Sequence, residues 1–144
     1  MNRPAAADML DMFEWKPAYS INIGSIDAQH QSLLAIGHEL HTAMSTGQSK
    51  AVMGTILDRL VQYTTMHFAH EERLMQAHGY PGFAGHKALH DALAAKVVQF
   101  QVDFKAGHAT MSIALLNFMK DWLIEHIQIE DRKYAPFVLE KAVA

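Results

Sequence analysis

FAGHKALHDALAAKVVQFQVDF, residues Phe83 to Phe104, decides the fold. Its members Phe83, His86, His90, Leu93, Val97, Phe100 and Phe104 recur in alternating steps of three and four. That is the period of an α-helix burying one stripe, and strand-type alternation is absent. Yet the stripe that should be apolar carries two imidazoles one turn apart.

The same period runs through three further blocks. One reads Ile26, His30, Leu33, Gly37, Leu40 and Met44; the next reads Met53, Ile56, Leu60, Tyr63, His67, Glu71 and Leu74. The last reads Met111, Leu115, Phe118, Trp122, His126 and Ile129. Between the blocks, Gly47, Gly79 and Gly107 suit the left-handed position just past a helix end. Ser25 or Asp27, Ser49 and Thr110 are candidate N-caps. Loops this short make consecutive helices antiparallel. The expected fold is therefore all-α, an up-down-up-down antiparallel four-helix bundle with an extended N-terminal arm and a short C-terminal helix. We expect one domain over residues 1–144: an arm over 1–24 with Trp15, Pro17, Tyr19, Ile21 and Ile23, a bundle over 25–131, and a tail over 132–144 that docks through Phe137 and Leu139.

Composition narrows the function. A formal net charge of −3 gives no electrostatic case for nucleic acid or an anionic membrane. With no cysteine, thiolate metal sites, iron–sulfur clusters, disulfides and cysteine nucleophiles are excluded. No apolar run approaches the ~20 residues of a membrane span, and the first residues lack the character of a signal peptide. The expected compartment is the cytoplasm.

Antiparallel order brings together the start of the first helix, the end of the second, the start of the third and the end of the fourth. His30, His67, Glu71, His86, His90 and His126 all lie at those ends, at depths that agree within about two turns at ~1.5 Å per residue. Asp131 lies five residues after His126, ~500° around a regular helix, and reaches the same place only where the helix distorts or ends. His70, beside Glu71, is not excluded by spacing. His41 shares the face of His30 but lies ~16 Å away; His38, His41, His78 and His108 are expected to be solvated.

Taken singly, each member has an ordinary reading. A lone buried histidine is usually a hydrogen-bonded core residue, His67 and Glu71 make a helix-stabilising pair, and Asp131 is a solvated helix-end residue. Together, without an ion, they strand buried polar groups at several kcal/mol each. Imidazoles with a carboxylate minority suit a pair of iron ions.

Ile26-Asp27-Ala28-Gln29-His30, His67-Phe68 with Glu71-Glu72 and Met75, Tyr80-Pro81 with His86 and His90, and Trp122-Leu123 with His126-Ile127 and Asp131 make a recognisable set. It resembles the hemerythrin family, specifically its single-domain bacterial members, over nearly the whole chain. Trp15 and Tyr19 fit that family's aromatic arm. The resemblance implies a non-haem di-iron centre with an oxo or hydroxo bridge. It implies that His86, His90 and His126 hold one iron, that His30 and His67 hold the other, and that Glu71 and Asp131 bridge them. It selects Glu71 over His70 and includes Asp131 despite its offset.

The iron with two histidines would then keep one open position, as end-on dioxygen binding requires. Ferritin-like bundle sites use four carboxylates and two histidines; an imidazole-rich site is expected to hold dioxygen rather than cleave it. An apolar wall of Trp122, Leu123 and Ile127, at minus four, minus three and plus one from His126, is expected to slow proton entry. The expected function is reversible dioxygen binding for carriage, storage or sensing, not catalysis, in a monomer or weak homo-oligomer that serves a dioxygen-consuming enzyme. The alternative is a di-iron enzyme handling peroxide or nitric oxide.

Overall fold

The structure, a computed structural model, describes residues 13–107 and 111–143, without the side chains of 111–113, 123, 124 and 140–143. Four long helices form the body: α1 (Gly24–Ser45), α2 (Lys50–Ala77), α3 (Phe83–Lys105) and α4 (Met111–Glu125). Each packs on the next, and α4 closes back on α1. No strand occurs among the described residues. Ahead of α1 lies the arm, with one 3₁₀ turn at Pro17–Tyr19.

Local chemistry sets most of the boundaries. Gly47, Gly79 and Gly107 take φ of 66°, 65° and 93°, the left-handed values that end a helix cheaply only at glycine. Ser49 caps α2, its hydroxyl accepting the Val52 N–H at 3.3 Å. The start of α1 differs from expectation. Its N-cap is Ile23, with no side-chain cap, and Ser25 and Asp27 already lie inside the first turn. Asp27 instead turns back on the arm, accepting the Ser20 hydroxyl at 2.5 Å and the Ile21 N–H at 3.0 Å. Thr110 lies outside the described residues.

The fourth helix does not stop at the expected tail. A π turn at His126–Glu130 joins α4 directly to α5 (Asp131–Val143), so the final helix continues the fourth. Within the π turn the Asp131 N–H donates to the His126 carbonyl five residues back. The wider turn also rotates Ile129 out of the stripe assigned to it, leaving that side chain 55% exposed.

Burial falls into three layers. The main apolar cluster, including Leu33, Leu57, Leu60, Leu115, Met119 and Trp122, fills the body of the bundle. A second cluster of Ile21, Ile23, Ile26, Met75, Tyr134, Ala135 and Val138 closes one end. The histidines and carboxylates of interest fall where these two clusters meet. The arm and α5 therefore supply the lid of that end, while Phe13 of the arm lies against Gly37 in the body. A Cβ on Gly37 would stand 2.6 Å from two Phe13 ring carbons, so this contact requires glycine.

His41 is buried rather than solvated. It shares the face of His30, and the bundle covers that face along its whole length. His38 is exposed, and His78 is half-buried with Nδ1 2.9 Å from the Leu74 carbonyl oxygen. His108 lies outside the described residues.

Candidate metal centre

The layer between the two clusters contains His30 and Glu71 at 1% and 0% exposure, with His67, His86, His90, His126 and Asp131 equally enclosed. Each arrives from a different part of the fold: His30 from the first turns of α1, His67 and Glu71 from late α2, His86 and His90 from early α3. His126 and Asp131 bracket the π turn. In a regular helix they would point apart; across the i→i+5 turn their side chains meet, with His126 Nε2 3.0 Å from Asp131 Oδ1.

The side chains divide into two groups, each with one donor atom per residue and all donors within 4.8 Å of one another. Glu71, His86, His90, His126 and Asp131 form one; His30, His67, Glu71 and Asp131 form the other. The two carboxylates belong to both. Asp131 Oδ2 lies 3.0 Å from His30 Nε2, and its Oδ1 lies 3.1 Å from His86 Nε2. Glu71 Oε1 touches His67 Nε2, while Oε2 lies 3.6 Å from His86 Nε2.

Without an ion this layer is poorly satisfied. His30 Nε2, His86 Nε2 and all four carboxylate oxygens of Glu71 and Asp131 are buried, and their close approaches to one another lack the angles of a hydrogen bond. His90 Nε2 and His126 Nε2 face each other at 3.2 Å, which requires a proton or a cation between two lone pairs. Burial lowers the His30 and His86 pKa, but the Asp131 and Glu71 carboxylates outweigh it and raise both to about 9. Burial raises Asp131, and so does Glu71, yet His126 and His30 bring it down to about 2. Burial likewise opposes ionisation of Glu71, and its histidine neighbours overcome that. Burial dominates at His90 and depresses it to about 3. Two carboxylates thus attract positive charge into a dry, imidazole-rich layer, and two divalent cations fit that donor set.

The outer nitrogens are held from behind. His67 Nδ1 lies 2.7 Å from Gln29 Oε1, and His90 Nδ1 lies 2.9 Å from Glu72 Oε2. Each contact places the ring proton on Nδ1 and leaves Nε2 bare toward the interior. His90 also stacks on Phe68, with centroids 3.9 Å apart and an interplanar angle of 4°. Sequence reading passed over these roles, although Gln29, Phe68 and Glu72 each adjoin a candidate ligand. It also passed over Tyr134, three residues after Asp131 and fully buried. His70 stays outside both groups, turned to the Ser25 hydroxyl at 3.1 Å. Trp122 and Ile127 are buried beside the layer; the Leu123 side chain lies outside the described residues.

A four-helix bundle with two overlapping imidazole groups that share a carboxylate pair defines a dinuclear cation-binding domain. The family model described as the hemerythrin HHE cation binding domain matches residues 22–138. The bacteriohemerythrin of Methylococcus capsulatus (strain Bath) is 37% identical over 126 residues, covering 87% of this chain and 95% of that protein. A hemerythrin chain of Sipunculus nudus is 30% identical over 128 residues, covering 86% of this chain and 92% of that one. A wild-type hemerythrin crystal structure superposes with a TM-score of 0.81 at 37% identity, covering 87% of this chain and 96% of its counterpart. The chain belongs to the hemerythrin family.

Proposed function

We propose that this protein binds dioxygen reversibly at a pair of iron ions, for carriage, storage or sensing. The carboxylate pair shared between a three-imidazole and a two-imidazole group carries this reading. In it, His86, His90 and His126 would hold one ion, His30 and His67 would hold the other, and Glu71 and Asp131 would be shared between them. A ferrous pair held by these residues would supply the reversible two-electron chemistry that dioxygen binding requires.

The chain's own residues favour reversal over oxidation. Five imidazoles against two carboxylates keep the donor set mostly neutral, which disfavours high oxidation states. The group containing His30 and His67 has one donor fewer, leaving room for a small ligand. Gln29 and Glu72 keep protons on the outer ring nitrogens and away from the interior. Trp122 and Ile127 form the wall we assign to the ligand pocket, to which the family resemblance adds Leu123. Phe68 extends that wall, meeting the Trp122 ring edge-on at 5.7 Å. Apolar packing there slows entry of water and protons. In this reading the protein works in the cytoplasm and supplies a dioxygen-consuming enzyme.

The test is to load the protein with ferrous salt without air, measure iron per chain, then admit and withdraw dioxygen while recording the visible spectrum. About two irons per chain and a band that rises with dioxygen and fades under vacuum are expected. Immediate irreversible oxidation, or sustained consumption of peroxide or nitric oxide, would replace this reading with the enzymatic one.

A further inference from the structure

Tyr134 is 0% exposed, and its hydroxyl has no hydrogen-bond partner within standard geometry. Its ring stands edge-on to His86, with centroids 5.4 Å apart at 84°. A phenol stranded in a dry layer is destabilising unless it donates or accepts. The Nε2 atoms of the imidazoles converge on the two cation groups, and a carboxylate can only accept. The oxygens of Glu71 and Asp131, buried and without a hydrogen-bond partner of good geometry, are the strong acceptors of this layer. Both Asp131 oxygens already have imidazole nitrogens within 3.1 Å, whereas Glu71 Oε2 has none closer than 3.6 Å. That nearest nitrogen belongs to His86, the ring Tyr134 packs against.

We infer that Tyr134 is a positioning residue whose hydroxyl donates a hydrogen bond to Glu71 Oε2 and fixes the orientation in which that carboxylate spans the two cation groups. The inference rests on the dinuclear reading of the site. A charge-assisted O–H···O⁻ bond of this kind is short and directional. It removes one lone pair of Glu71 from competition and locks the carboxylate rotamer before a cation arrives. Because Tyr134 belongs to α5 and Glu71 to α2, the bond also ties the closing helix to the centre.

The test uses Tyr134→Phe, which removes the hydroxyl and keeps the ring. First, the ultraviolet Raman doublet of tyrosine is recorded for the metal-free wild type minus the variant, which isolates Tyr134 among the four tyrosines of the chain. A doublet ratio typical of a strong donor is expected, and a ratio typical of an unbonded or accepting phenol overturns the inference. Second, both proteins are titrated with cobalt(II) alone, without air. We expect the variant to keep its helical circular dichroism, to bind cobalt about five- to tenfold more weakly, and to show shifted ligand-field bands. Coincident affinities and bands would reduce Tyr134 to a space-filling residue and overturn the inference. Should the wild type itself take up no cobalt, the dinuclear reading fails, while the Raman doublet still decides the hydrogen bond.

Discussion

Glu71 and Glu72 are adjacent in sequence and have opposite tasks. Glu71 points into the sealed layer, where histidines hold it ionised despite complete burial. Glu72 is half-buried, its pKa raised by burial, and supports His90 from behind. Supporting contacts of this type typically govern metal affinity by 10–100-fold. Glu72→Ala is therefore expected to weaken cation binding about tenfold or more with unchanged helicity, as is Gln29→Ala at the His67 side, both read by competition with a chelator. Wild-type affinity in both variants would remove them from the account of the centre. Helical spacing made His30, His67, Glu71, His86, His90 and His126 legible as a set. Gln29 and Glu72 were not, because successive helix residues point ~100° apart and their targets sit on neighbouring helices.

Among the elements, the π turn does what no side chain can. It inserts one extra residue between His126 and Asp131 and so returns Asp131 to the layer. Deleting Gln128 would restore four-residue spacing, which also places the two residues on one face of an α-helix. That variant is expected to retain about two cations per chain, whereas inserting Ala after Gln128 should drop it to about one, as measured by metal analysis. The opposite order would show that register is not what places Asp131. The arm makes a second element-level case. Gly37→Ala forces the Phe13 ring aside, and overpacking typically costs about 1–3 kcal/mol. Thermal unfolding should show that loss, and adding Phe13→Ala should relieve part of it; equal stability of Gly37→Ala and wild type would mean that the ring yields freely. Sequence periodicity placed four helices because each buries a continuous stripe. It misplaced the start of α1 and the outward turn of Ile129, since a cap and a π turn depend on what the next element offers.

For the whole molecule, the centre is a layer between two apolar clusters, so its charge is linked to stability. In the metal-free protein His30 and His86 titrate near 9, above the unfolded value of 6.5. Their contribution is complete below pH 6.5 and disappears as pH rises through 9, roughly 3 kcal/mol for His30 alone. His90, held near 3, and Asp131, held near 2, act at the acid side: stability falls as pH drops below 6.5 toward 3 for the first, and from 3.8 through 2 for the second. Denaturant titrations of metal-free protein should therefore find a maximum near pH 6.5 and a clear decline by pH 9 to 10. Loading with cations should raise the melting temperature and flatten the alkaline decline, because cations displace those protons. An alkaline limb identical with and without metal would contradict this linkage. The amino-acid sequence by itself determined the helices, their antiparallel order and the end at which the imidazoles gather, because period and loop length are local properties of the chain. Only the tertiary structure decided that Asp131 turns inward, that His41 is buried, that Gln29 and Glu72 back the ligand rings, and that Tyr134 packs against His86. Each of those depends on a neighbouring helix or on a distortion stabilised by packing, and neither is encoded in the spacing of a single segment.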